Sequence, residues 1–217
     1  TESYEKIGKL LAATEDIEDY SLTEMIGMYL DRMNDPTPPD YLHFGMDRLD
    51  SALAVTPGMF LIIGADSSTG KTALALQFAV HIARNGKRVG FFSLETPQEP
   101  LQNRIMAEHQ LAGIPVPSSQ QKKLSDEDFA RAAQVGILSE NIPLRVIRKA
   151  NTLEKIRART LQRRFDVIFI DYVQLIDAQG KERFDVVTKI SMGLHRMAQE
   201  LGVVIVVLSQ VTPPEKG

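Results

Sequence analysis

The chain has 217 residues, 43% of them hydrophobic and 24% charged, with a net charge of −3 and no cysteine. That is enough for one α/β domain with a real core plus a short appendage. It excludes disulfides and thiolate metal sites, and with no run of eighteen apolar residues and no apolar leader near Thr1 it gives no sign of a membrane span or signal peptide, so a cytoplasmic protein is expected.

Residues 1–35 hold nine acids and three bases, so the rest of the chain is mildly basic. That balance is compatible with a local phosphate-binding strip without requiring one. Within this stretch Ser21 and Glu24 form a capping box ahead of Met25, Ile26, Met28, Tyr29, Leu30 and Met33. The pattern predicts a helix rich enough in apolar residues to pack on something, either its own domain or a neighbouring subunit. Asp35-Pro36-Thr37-Pro38-Pro39-Asp40 then breaks regular structure. A helical linker over 1–39 and a larger domain over 40–217 are expected.

From residue 41 onward strand and helix patterns alternate. Strands are predicted at Phe60–Gly64, Val89–Leu94, Leu144–Ile147, Val167–Asp171 and Val203–Leu208. Helices are predicted at Thr72–Arg84, Leu101–Leu111, Ser125–Leu138, from a cap at Asn151 to about Arg164, and at Phe184–Leu201. Short apolar strands separated by helices imply a mainly parallel sheet flanked by helices on both faces.

Ala65-Asp66-Ser67-Ser68-Thr69-Gly70-Lys71-Thr72 lies between the first strand and its helix. Successive backbone N–H groups there can curl round a phosphate, and the helix N-terminus adds a positive field. Gly70 lets the backbone come close, Lys71 reaches the β and γ phosphates, and the Thr72 hydroxyl suits Mg²⁺. Ala65 stands where the strict pattern has Gly. The chemistry is that of an ATP-binding phosphate loop.

Hydrolysis also needs a carboxylate for the metal, a group to polarise water and one that responds to the γ-phosphate. Asp171 closes four apolar residues, the form of a strand whose acid holds Mg²⁺. Glu95 follows the second strand, upstream of Thr96-Pro97-Gln98-Glu99, which already offers a helix start, so it is free to act on water. Gln210 follows the fifth strand and can bond the γ-phosphate. The structural alternatives are a strand-terminating acid, a helix-flanking acid and an exposed polar strand end.

In the order Gly64–Ala75, Phe92-Ser93-Leu94-Glu95, Ile170-Asp171-Tyr172-Val173-Gln174-Leu175 and Leu208-Ser209-Gln210, these segments resemble the C-terminal RecA-like ATPase domain of DnaB-type replicative DNA helicases, phage and prophage forms included. Phe44-Gly45, Leu49-Asp50 and Pro57-Gly58 resemble the family's approach to the phosphate loop. The resemblance covers about residues 40–211. It implies a RecA-like P-loop NTPase fold, ATP and Mg²⁺ as ligands, a homohexameric ring, translocation on single-stranded DNA with unwinding of duplex, and primase and a helicase loader as partners. It gives Lys71 and Thr72 phosphate and Mg²⁺ contacts, Asp171 the metal acid, Glu95 the catalytic glutamate and Gln210 the sensor. In the loop after Asp171, Lys181 and Arg183 are the candidates for DNA phosphates, against the alternative of a solvated loop.

Three features depart from the family. The family's N-terminal helical domain is expected to be missing, Val211-Thr212-Pro213-Pro214 stands where members commonly carry Leu-Asn-Arg, and the segment expected to carry the arginine finger is expected to lie past Gly217. A domain truncated at its carboxyl end and weak in hydrolysis is therefore expected. Two other readings stay open: a RecA- or RadA-like or clock-type ring ATPase without helicase activity, and a nucleotide-binding assembly module. Unwinding of a forked duplex separates the first, and Lys71-dependent hydrolysis the second.

Overall fold

The computed structural model describes residues 19–37, 40–111, 123–177 and 183–211, with the side chains of 109–111 and 183–185 outside that description. The chain divides into two units, Thr1–Asp40 and Tyr41–Gly217.

In the first unit, helix α1 (Leu22–Asn34) starts as its sequence dictates. The Ser21 side chain accepts from the Glu24 N–H and the Glu24 carboxylate accepts from the Ser21 N–H, so two otherwise unpaired donors are satisfied. None of its residues is buried.

The second unit opens with a bridge between Leu42 and Val55 that encloses a short helix, α2 (Asp47–Asp50). The Asp50 carboxylate accepts from the N–H groups of Phe44, Gly45 and Met46 at 2.7, 3.0 and 3.1 Å, folding this lead-in onto itself. Five strands follow: β1 (Phe60–Ala65), β2 (Val89–Ser93), β3 (Leu144–Ile147), β4 (Val167–Asp171) and β5 (Val204–Gln210). They form one parallel sheet in the order β1-β5-β4-β2-β3. Because every strand runs the same way, all five carboxyl ends lie along one edge.

The period-2 alternation of the strands builds two cores. Phe91, Phe169, Val206 and Leu208 point to one face, where Leu76, Phe78, Ala79 and Ile82 of α3 (Lys71–Arg84) cover them, together with Leu101 of α4 (Gln98–Leu111). Phe92, Ile168, Ile170, Ile205 and Val207 point to the other, covered by Ile156 of α6 (Leu153–Arg163) and Ile190, Leu194 and Ala198 of α7 (Arg183–Leu201). Helix α5 (Asp126–Ser139) is held more loosely, with Val135 as its buried residue. No helix among the described residues is long and apolar enough to cross a membrane.

The predicted elements differ from the observed ones mainly at their ends. Helix α4 begins at Gln98 because Pro100 falls in its first turn, where a missing N–H costs no hydrogen bond. Helix α6 is capped by Thr152, whose hydroxyl accepts from the Lys155 N–H, and not by Asn151. Asn151 is occupied elsewhere: its carbonyl accepts from the Asp177 N–H at 2.7 Å and its side-chain amide bonds the Asp177 carboxylate. A one-turn 3-10 helix at Val173–Leu175 lies outside the predicted elements. Strand β5 runs two residues past its predicted end at Leu208, so Gln210 is the last residue of the strand itself.

Candidate functional site

The phosphate-loop segment runs from the end of β1 into α3. Ser68 (φ 61°) and Gly70 (φ 95°) take left-handed conformations, which curl the chain back before the helix starts. At Gly70 that backbone is free of steric cost, and a Cβ there would meet nothing within 4 Å, so the glycine serves φ and not crowding. The Thr69 hydroxyl donates to the Asp66 carbonyl at 2.8 Å. Lys71 Nζ donates to the carbonyls of Ala65 and Asp66 at 2.7 and 2.5 Å, which keeps the ammonium folded against its own loop.

Two carboxylates come from neighbouring strands, since Ser93 and Asp171 pair in register across β2 and β4. Asp171 is 2% exposed. Burial pushes its carboxyl above the usual range, and the hydrogen bond from the Thr72 hydroxyl opposes that; Glu95 nearby raises it further, while Arg104 and Lys71 lower it. Asp171 Oδ2 is buried and has no hydrogen-bond partner among the described residues. Glu95 sits just beyond β2 and is exposed to the cavity. Its N–H and that of Leu94 both point at the Asp171 carbonyl, at 3.4 and 2.8 Å, so the turn that bears Glu95 rests on the strand that bears Asp171.

Gln210 lies in register with Ala65 across β1 and β5, and the Val211 N–H donates to the Ala65 carbonyl at 3.2 Å. Gln174, on the 3-10 turn, donates from Nε2 to the Ser209 hydroxyl and to the Gln210 carbonyl, both at 3.1 Å. That amide ties the chain after β4 to the end of β5.

These groups surround one cavity of about 530 Å³. Of the sequence-predicted residues, Ser67, Ser68, Gly70, Lys71, Thr72, Glu95, Asp171 and Gln210 line it. Ala65, Asp66 and Thr69 stand behind the lining and bond within the loop. Lys181 lies outside the described residues, as does the Arg183 side chain. The cavity also takes in Thr96, Pro97, Pro100, Arg104 and Tyr172, to none of which the sequence motifs assign a binding or catalytic role. For three of them a signal is present in the spacing. Positions 97, 100 and 104 follow helical spacing: Pro97 just precedes α4, and Pro100 and Arg104 form one flank of it beside the stripe of Leu101 and Ile105 that packs on the core.

A hard divalent cation fits this donor set. Asp171 Oδ2 and the Thr72 hydroxyl are both oxygen donors, the type that Mg²⁺ prefers. Mg²⁺ at a nucleotide site takes one or two protein oxygens and completes its shell with phosphate and water.

A family model described as "DnaB-like helicase C terminal domain" matches residues 42–214. A probable plasmid replicative DNA helicase of Chlamydia trachomatis is 36% identical over 170 residues, covering 75% of this chain and 37% of that protein. The replicative DNA helicase DnaB of Treponema pallidum is 33% identical over 165 residues, covering 72% of this chain and 37% of that protein. The chain thus spans little more than a third of these relatives. Among solved structures, one described as an ATPase domain superposes with a TM-score of 0.70 at 25% identity, covering 90% of this chain and 73% of that one. A DnaB-like replicative helicase described with its primase interactions gives a TM-score of 0.72 over 98% of this chain and 53% of that one, and at 24% identity it supports the fold alone.

Proposed function

The chain belongs to the DnaB-like helicase C-terminal domain family, and on that premise we propose that residues 40–217 are the ATP-hydrolysing motor of a replicative DNA helicase, with residues 1–39 as its linker. The observation that carries this reading is the convergence of four strand ends on one cavity. The phosphate loop after β1, Glu95 after β2, Asp171 on β4 and Gln210 on β5 all meet there.

The chemistry follows from those groups. Lys71 exchanges the carbonyls of Ala65 and Asp66 for oxygens of the β and γ phosphates, and the loop N–H groups cradle the remaining charge. Asp171 and Thr72 would hold Mg²⁺, which supplies neutralisation of the phosphate charge when bound. Glu95 orients water for in-line attack and takes its proton, and the Gln210 side chain bonds the γ-phosphate from the opposite wall. Through Gln174, a change at Gln210 reaches the chain that follows β4. That chain leads to Lys181 and Arg183, which grip phosphates of single-stranded DNA in this proposal. A homohexameric ring and docking of primase or a loader complete the reading at the level of the whole protein, in the cytoplasm.

The test is ATP hydrolysis with and without single-stranded DNA, in the wild type and in Lys71→Ala. Stimulation by DNA is expected, as is a loss of turnover of about a hundredfold or more in the variant. Hydrolysis indifferent to DNA would favour a ring ATPase of another kind. Turnover that survives Lys71→Ala would remove the motor reading altogether.

A further inference from the structure

Arg104 is the charged cavity residue that neither the motifs nor the proposed mechanism uses. It projects from the second turn of α4, and its Nη1 donates to the Thr96 hydroxyl at 3.4 Å. No carboxylate among the described residues forms an ion pair with it. A guanidinium carries five N–H donors in a fixed fork, so most of its capacity is left for the cavity it lines.

Thr96 is 6% exposed and closes the turn that presents Glu95. That turn is held from three sides. The Ser93 hydroxyl donates to the Thr96 carbonyl at 3.4 Å, the Leu94 and Glu95 N–H groups rest on the Asp171 carbonyl, and Arg104 holds the Thr96 side chain. Two of the three braces lie within β2, β4 and their junction, and the third reaches the turn from α4. The 3.4 Å bonds are long, which leaves them room to tighten around a substrate.

Charge points the same way. The cavity lining holds two carboxylates, Glu95 and Asp171, and two cations, Lys71 and Arg104. Lys71 is engaged by loop carbonyls, which leaves Arg104 as the lining cation with donors to spare beside the carboxylate pair. Without it the lining would carry a net negative charge against a highly anionic nucleotide.

We propose that Arg104 is a positioning residue for ATP hydrolysis, holding the Glu95 turn through the Thr96 hydroxyl while its charge offsets the two cavity carboxylates. The inference rests on the motor reading for its reaction, and it makes Arg104 act on turnover more than on ground-state binding. A group that fixes the geometry of the water-polarising carboxylate lowers kcat when lost and leaves nucleotide affinity nearly intact.

The experiment compares Arg104→Ala, Arg104→Lys, Thr96→Val and Thr96→Ser. Three quantities are measured: ADP affinity, ATP turnover, and hydrogen exchange of the Leu94 and Glu95 amides. Arg104→Ala is expected to lower kcat about thirtyfold with ADP affinity changed less than about threefold, and to speed amide exchange at the turn about tenfold. Arg104→Lys regains part of kcat by restoring charge. Thr96→Val, which removes only the hydroxyl, follows Arg104→Ala, and Thr96→Ser stays near wild type. Unchanged exchange at residues 94–95 in Arg104→Ala overturns the proposal, and needs no turnover to be read. So does loss of ADP affinity in step with kcat, or a Lys variant no better than Ala. A wild-type protein that binds no nucleotide overturns the motor reading as well, so the two failures are distinct.

Discussion

Glu95 and Asp171 come from neighbouring strands, and their environments suit them to different tasks. Asp171 is almost wholly buried, with one oxygen left without a partner among the described residues, so its carboxylate is favourable only beside a cation. Glu95 is exposed to the cavity, where a carboxylate stays solvated and can meet water. Removing the charge of Glu95 while keeping its shape should therefore separate chemistry from binding. Glu95→Gln is expected to lower kcat by about 10² to 10⁴ and leave nucleotide affinity within a few-fold of wild type, checked by single-turnover hydrolysis beside an equilibrium titration. Equal loss of both would assign Glu95 to binding instead.

Among the elements, the strands are aligned by polar contacts at their amino ends and by packing along their length. Asp166, just before β4, accepts from the Arg88 N–H at 2.7 Å, and from its Nε and Nη2 at 3.0 and 2.6 Å, which locks the starts of β2 and β4 together. The Arg88 side-chain hydrogen bond holds the Asp166 carboxyl below its ordinary range. A depressed carboxyl contributes stability above its unfolded value of about 3.9, and that contribution is lost as pH falls through the lower, folded value. Both groups are partly solvent-exposed, so the effect is small. Asp166→Asn should lower the thermal midpoint by about 2 °C at pH 7, and the gap to wild type should close in acid, read from melting curves across pH. Packing sets a steeper constraint at Gly90 on β2. A Cβ there would stand 2.7 Å from Cδ2 and Cε2 of the buried Phe165 ring, which meets Phe92 edge-on. Gly90→Ala should destabilise by about 1–3 kcal/mol in denaturant unfolding, because a wedged aromatic ring has nowhere to move. Gly193→Ala meets only the end of the Leu153 side chain at 2.7 Å, and helix α7 gains an alanine, so a change near zero is expected there.

In the unit that spans Tyr41–Gly217 taken whole, binding and stability are linked. A ligand that fills the cavity bridges the phosphate loop, α4 and the ends of β4 and β5. Nucleotide with Mg²⁺ at a hundredfold excess over its Kd should add about 2.7 kcal/mol to unfolding, raising the thermal midpoint by several degrees. Without Mg²⁺, or in Asp171→Asn, the gain should shrink, since the buried carboxylate oxygen and its cation are then no longer paired. A midpoint that ignores nucleotide in differential scanning fluorimetry would argue that the cavity does not bind it.

Element order and element type are legible in the chain read residue by residue. Strand runs such as Val167–Asp171, the caps at Ser21 and Ser125, and the Gly70-Lys71-Thr72 helix start are local signals, written in side-chain periodicity and in the hydrogen-bonding needs of helix ends. Competition for one such signal misleads at Asn151, where a good capping residue is drawn off by Asp177, 26 residues later. Which strand ends become neighbours is settled by folding alone. The order β1-β5-β4-β2-β3 brings Ala65 beside Gln210 and Ser93 beside Asp171, and long-range pairing of this kind leaves no trace in local spacing. Arg104 is the plainest case. In the sequence it is one more charged residue on a helix, and it lines the cavity only because α4 packs Leu101 and Ile105 against the core and thereby turns the adjoining flank toward the strand ends.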